Sequence, residues 1–308
     1  FFFFFLGRVP GLTISSNGQP GGSSEINLRG YGSVTGNNSA LIVVDGIPIN
    51  NRTNTSATTQ INGDDINRSQ DFGNQANDIN PNDIESMQIL KDAASASIYG
   101  ARASNGVVLI TTKKGKAGKT STSFNTYMGF SQLANKIDVL NGAQYIQYMQ
   151  DRGEAISEEN ANTDWQDKTF GTGVNQNFQL AFSGGTEKSR YYLSLGYLLD
   201  KGMVTPAKFD RYSVRLNVDS KVNDWLTIGS NINFYRTKSW NAGDNASSGR
   251  GGIILSALNS PPNLGVYDAE KPEQFATNPF QAAWETPLSY MSREEDYTNN
   301  RFLSNVFA

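Results

Sequence analysis

The hydrophobic positions of this chain change rhythm near Lys119. Before that point they come in continuous runs, Ala40 to Val44 and Val107 to Thr112, as in strands buried on both faces. After it they alternate with polar residues, as in strands with one dry and one wet face. Phe178, Leu180 and Phe182 alternate with Asn177, Gln179 and Ser183. Tyr191, Leu193, Leu195 and Tyr197 alternate with Tyr192, Ser194 and Gly196. Tyr212, Val214, Leu216 and Val218 alternate with Ser213, Arg215, Asn217 and Asp219. Leu226, Ile228, Ile232 and Phe234 alternate with Thr227, Gly229, Asn231 and Asn233. Phe124, Met128 and Phe130 open the series and residues 300–307 close it, so the pattern predicts about six strands.

The first third reads differently. Residues 6–22 are rich in Gly and Pro and predict turns. Glu25 to Arg29 is a half-buried strand that stops at Gly30. Asp45-Gly46 predicts a hairpin turn, which Ile47 to Ile49 leaves. Residues 51–80 are polar without a period and predict a long loop. Within it, Asn62 to Asn67 lacks the alternating ligands and distal Glu of a calcium loop. Glu85 to Lys91 predicts a strand, Asp92 an N-cap, and Ala93 to Tyr99 a short helix closed by Gly100. The turn Ser104-Asn105-Gly106 then leads into the strand that begins at Val107.

The wording of three of these segments is specific. IESMQILKDAASASIYGARASNGVVLITTKKG, ALIVVDGIPIN and GRVPGLTISSNGQPGGSSEINLRGYGS together resemble the plug domain of TonB-dependent outer-membrane transporters, in particular the SusC/RagA family. The resemblance covers about the first third of the chain. It implies a plug at residues 6–115, with Arg29, Gly30, Asp45, Gly46, Asp92, Tyr99, Gly100, Arg102 and Gly106 as its motif and gating positions. It further implies active import of a large nutrient, an oligosaccharide or a peptide, from outside the cell. TonB, with ExbB/ExbD as energy source, is the implied inner-membrane partner, and a SusD-like surface lipoprotein is the implied lid.

Composition narrows the remaining classes. The 308 residues carry a net charge of −3, which gives no support to a nucleic-acid surface. There is no His and no Cys, which removes the usual general base, the Ser-His-Asp arrangement and the commonest zinc ligand. No pair of carboxylates stands out for acid–base work, so an enzyme is disfavoured, and no motif asks for a cofactor or a metal. The Gly-containing run from Gly30 to Gly36 is a weak nucleotide signal. No stretch of 18 apolar residues occurs, which excludes a membrane-spanning helix and leaves spanning strands open, as a mean hydropathy of −0.47 also does. The run Phe1 to Phe5 has no basic flank and no cleavage pattern, so it is not read as a signal peptide.

The alternating pattern itself fits two architectures, a soluble β-sandwich such as a carbohydrate-binding module and a membrane β-barrel. Strands of about ten residues match a membrane span. Tyr191, Tyr197, Tyr212, Trp225, Phe234 and Trp240 gather near strand ends like interfacial girdles. Short turns alternate with the long segments 136–173 and 241–298, as periplasmic turns alternate with extracellular loops. The expected fold is therefore mainly β: a transmembrane β-barrel with a small α+β plug inside. About six strands against the roughly 22 of a plugged barrel make residues 120–308 an incomplete wall, hence a piece of a longer protein. A passive porin or adhesin shares this wall, and the plug-like third argues against it.

Two expectations about sites follow. Leu193, Leu195, Val214, Leu216, Ile228 and Ile232 face outer-membrane lipid. Arg29 and Arg102, isolated among Gly and Ala, pair with carboxylates on the inner wall, for which Asp219 is the candidate that can be named.

Overall fold

A computed structural model describes residues 10–16, 18–28, 30, 38–51, 71, 73–92, 97–157, 159–242, 252–277 and 285–308. They form three sheets. Strands β1 (Leu12–Ser16) and β2 (Ser24–Leu28) make an antiparallel pair. Strands β3 (Leu41–Val44), β4 (Ile47–Ile49), β5 (Ile84–Leu90) and β6 (Val107–Thr112) make a mixed sheet in the order β4-β3-β6-β5, with β3 and β6 parallel.

The continuous apolar runs of β3 and β6 are explained by two cores, one on each side of this sheet. Ile42, Val44, Val108 and Ile110 point to one side and pack with Leu12, Ile14, Ile26 and Leu28 of the β1–β2 pair. Leu41, Val43 and Val107 point to the other and pack with Ala103, Leu90, Tyr99 and Leu109. Each such buried side chain stabilises the domain by about 1.5–3 kcal/mol. Gly106 sits where this packing is tightest: its φ is +90°, and a Cβ there would lie 2.7 Å from Leu28 Cδ1.

Two local expectations are corrected. Residues 12–16 are a strand rather than turns; with only Leu12 and Ile14 inward, the segment is too short to show a period. The helix expected over residues 93–99 is not a continuous one. Residues 93–96 lie outside the described residues, and residues 97–103 form 3-10 turns broken at Gly100, whose φ of 68° and ψ of −160° suit glycine alone.

The third sheet is an antiparallel meander of six long strands, β7 (Gly118–Ser131), β8 (Gly173–Gly185), β9 (Ser189–Lys201), β10 (Lys208–Lys221), β11 (Thr227–Ala242) and β12 (Glu294–Phe307). Its register aligns the alternating residues into rows across the whole sheet. One row reads Phe124, Leu180, Leu195, Val214, Phe234, Phe302. The row one residue along, on the opposite face, reads Ser123, Ala181, Ser194, Arg215, Asn233, Leu303. The polar face is the covered one: Ser194, Arg215 and Asn233 are buried, whereas Leu195, Val214 and Phe234 are exposed. A soluble sandwich buries its apolar faces against each other. This sheet does the reverse.

Tight turns at 186–188 and 222–226 close one end of the meander, and the connections 132–172 and 243–293 stand at the other. Those long connections hold helices that the alternation does not announce: α1 (Gly142–Arg152), α2 (Trp165–Thr169), α3 (Gly252–Asn259) and α4 (Pro287–Met291). The first has a readable signature, a capping box between Asn141 and Gln144 and a left-handed Gly153 at its end. The two connections are tied into one body. Trp165 packs with Ala257 and Leu264, and its Nε1 donates to Pro261 O at 3.0 Å.

Candidate functional site

The polar face of the six-stranded wall meets the small domain through charged side chains. Arg215 comes from the middle of β10, where every second residue points inward, and only 1% of its side chain is exposed. Its Nη1 lies 3.2 Å from Asp45 Oδ2, its Nε 3.6 Å from Asp83 Oδ2, and its Nη2 donates to Tyr235 OH at 2.9 Å. The guanidinium therefore bridges two carboxylates that belong to separate parts of the small domain.

Local structure fixes both carboxylates. Asp45 is the first residue of the β3–β4 turn and has a φ of 48°, with Gly46 following at 86°, a pair of left-handed residues as in a type I′ hairpin. That turn aims Asp45 back over β6. Thr112 N donates to Asp45 Oδ1 at 2.9 Å and Thr112 Oγ1 to Oδ2 at 2.6 Å. Asp83 ends the 3-10 turn Pro81–Asp83, which the Asn80 side chain caps by accepting from Asn82 N. Gln179 Nε2 and Tyr192 OH both donate to Asp83 Oδ1, at 2.5 Å and 3.0 Å.

Further contacts extend this seam along β10 and β12. Arg211, four residues before Arg215 and so on the same face of β10, donates through Nη1 to Asn77 O at 2.6 Å and Ile79 O at 3.1 Å. Asn217 Nδ2 donates to Thr112 Oγ1 at 3.2 Å and to Lys113 O at 2.8 Å. Arg301 pairs with Asp78, and Leu303 packs against the first core of the small domain. The approach is close at Gly196, where a Cβ would lie 2.5 Å from Ser213 Oγ and 2.8 Å from Asn80 Nδ2. Beside the seam, a cleft of about 390 Å³ separates Tyr99, Asp45 and Lys114 from Asn231, Asn305 and Phe307.

The charges run opposite to the expected pairing. Arg29 lies outside the described residues. Arg102 is exposed and makes no ion pair among the described residues, in a polar cleft with Asn50, Asn51 and Asn105. Asp219 does point inward and is half-buried, yet it has no ion-pair partner among the described residues. The arginines stand on the wall and the aspartates on the small domain. Of the other motif positions, Gly30 has a φ of 77° and Asp92 is exposed. Leu195, Val214 and Ile228 lie exposed, and Leu193, Leu216 and Ile232 half-exposed, on the face away from the small domain. Arg211, Arg215, Arg301, Asp78 and Asp83 were not singled out by motif. The three arginines carry one sequence signal, a charge on the polar side of an alternating strand, and Asp83 another, a place just after Pro81-Asn82; Asp78 carries neither.

A wall that is apolar outside and polar inside, docked through its polar face onto a small mixed domain, is the architecture of a plugged β-barrel receptor. The TonB-dependent Receptor Plug Domain family matches residues 5–107. TonB-dependent receptor SusC of Bacteroides thetaiotaomicron is 36% identical over 300 residues, covering 96% of this chain and 28% of that protein. TonB-dependent receptor P3 of Formosa agariphila is 34% identical over 269 residues, covering 86% of this chain and 24% of that protein. Among solved structures, the RagAB peptide transporter superposes with a TM-score of 0.72 at 26% identity, covering 96% of this chain and 36% of that one. The chain belongs to the TonB-dependent receptors of the SusC/RagA type. It spans about 28% of the length of the SusC relative, and these relatives are receptors and a transporter rather than enzymes.

Proposed function

We propose that this chain supplies the plug, residues 6–115, and the first wall strands, residues 120–308, of an active importer in the outer membrane of a Gram-negative bacterium. Its cargo is a large nutrient, an oligosaccharide or a peptide. TonB, energised by ExbB/ExbD, supplies the pull from the periplasm, and a SusD-like surface lipoprotein covers the outer mouth. The observation that carries this reading is the seat of Arg215 between Asp45 and Asp83.

A passive pore has no use for a folded domain held across its lumen by buried ion pairs. An importer needs one that stays shut at rest and yields to force. Polar contacts suit that task, because water replaces each hydrogen bond as it breaks and the net loss is about 0.5–1.5 kcal/mol per bond. Exposing the plug's own cores costs about 25 cal/mol for each Å² of apolar surface, with no such replacement. A pull on the plug then opens the seam before it opens the cores. Arg215 ties the β3–β4 turn and the Pro81–Asp83 turn to a single point, so both are released together.

The test is uptake of labelled oligosaccharides and labelled peptides by cells that carry the full-length receptor, with and without TonB. Uptake of one class that collapses without TonB is expected. Equal uptake in both backgrounds would leave a passive pore.

A further inference from the structure

On the outward face of the wall, at the end that carries the long connections, the apolar rows give way to a group of cations around one indole. Lys208 Nζ stands 4.1 Å from the Trp240 ring centroid and Lys238 Nζ 4.4 Å from it. Lys201 lies directly opposite Lys208 across the β9–β10 pair, and Arg236 lies opposite Tyr212, two outward-facing rows nearer the apolar band. Lys208 pairs with Asp210 at 3.1 Å and Lys238 with Asp296 at 2.9 Å. Lys201 and Arg236 are exposed and make no ion pair among the described residues. Among the described side chains, four cations and two carboxylates leave the group with two positive charges unmatched.

Facing lysines on neighbouring strands repel each other, and the repulsion grows where lipid lowers the local dielectric. Below them, Tyr197 and Tyr212 pack at 4.9 Å between ring centroids, with Phe178 stacked on Tyr197 at 6.4 Å, as a girdle at the edge of the apolar rows. From the Leu195–Val214–Phe234 row, Arg236 stands two residues out, Lys238 four, and the facing Lys201 and Lys208 six. At about 3.3 Å per residue and a tilt of roughly 40°, such offsets spread the cations over about 5–15 Å outside that row, across the layer of lipid headgroups.

The geometry points to a binding site for the phosphate of an outer-leaflet lipid, held by Lys201, Lys208, Arg236 and Lys238 against Trp240. A phosphate monoester carries about −1.5 to −2 charge at neutral pH, which matches the unmatched cations. A lipid rather than a soluble phosphate is the occupant, because the group opens onto the apolar outer face and continues its girdle. The plug packs on the opposite face of the wall. The inference rests on that outer face being the lipid face.

Native mass spectrometry of the full-length receptor in detergent tests it. The probes are lipid A with its phosphates, the same lipid after phosphatase treatment, and inorganic phosphate. The neutral double variant Lys201→Gln/Arg236→Gln is compared with wild type and with the charge-keeping swap Lys201→Arg/Arg236→Lys. Wild type and swap should retain the phosphorylated lipid, and the neutral variant should retain it about thirtyfold less, about fivefold per cation removed. The dephosphorylated lipid should bind all three proteins alike and weakly. Equal retention of the phosphorylated lipid by neutral variant and wild type would overturn the site, as would inorganic phosphate binding as tightly as the lipid. Failure of wild type to retain either lipid would overturn the lipid-face reading beneath it.

Discussion

The interior of the plug and its contact with the wall are built from opposite chemistry. Inside, Ile42, Val44, Val108 and Ile110 meet Leu12, Ile14 and Ile26 in a dry cluster. At the wall, Arg215, Asp45, Asp83, Tyr192 and Gln179 meet in a buried but polar one. At that contact Asn177, Gln179, Asn217 and Asn233 each leave a buried side-chain oxygen without a protein partner among the described residues. A buried polar atom left this way costs about 1–3 kcal/mol. Apolar packing keeps the plug in one piece, and on the proposed function a pull opens the polar seam around it first.

The largest effects separate the two regions. Arg215→Ala leaves Asp45 and Asp83 buried without their cation, which costs about 3–5 kcal/mol of docking. Hydrogen exchange should then quicken at residues 45, 83 and 112 while the amides of β3 and of residues 107–110 in β6 stay protected. Ile42→Ala removes buried methylenes from the core and costs about 2–5 kcal/mol. It should speed exchange throughout β3 and β6, and loss of protection confined to the seam in that variant would blur the distinction. On the outer face, Leu195→Arg should cost about 2–4 kcal/mol at mid-bilayer, read as a lower denaturant midpoint for the full-length barrel folded into vesicles. An unchanged midpoint would place that face outside lipid.

Smaller changes sharpen the picture. Tyr192→Phe removes one of the two side-chain hydrogen bonds to Asp83 Oδ1 and should weaken docking by about 1.5–3 kcal/mol, with exchange rising near residue 83 alone. Acid acts last, in the connection before β12. Burial pushes the Glu285 carboxyl up, but Arg293 and the Ser289 hydroxyl, which donates at 2.6 Å, outweigh it and hold the carboxyl below its ordinary value. Such a lowered folded value stabilises the segment above the unfolded value, and the benefit is lost as pH falls through the folded one. Exchange at residues 286–292 should therefore quicken only below about pH 4, and Glu285→Gln should remove that dependence.

Much of the frame was legible in the chain. Strict alternation after Lys119 carried both the six strands and the direction of their faces, because each side chain's face follows from a period of two. Asp45-Gly46 announced its turn through residue types that tolerate a left-handed backbone. The docking chemistry was not legible in the same way. Arg215 and Asp45 are 170 residues apart, and no local pattern couples them. Gly100 and Ala101 isolate Arg102 in the chain, whereas Arg215 stands among Ser, Asn and Asp on a polar face. Isolation of a charge in sequence does not decide which charge is buried; the partner elements do. The helices of the long connections escaped for a related reason. Their packing is between connections, through Trp165, Ala257 and Leu264, and leaves no alternation to follow.

Single-channel conductance of the full-length receptor in planar bilayers, compared between Arg215→Ala and Arg102→Ala, tests most directly that wall arginines hold the plug through its aspartates. Arg215→Ala should show frequent openings and a raised leak of small solutes, and Arg102→Ala should stay as closed as wild type. Openings in Arg102→Ala with a silent Arg215→Ala would contradict the account.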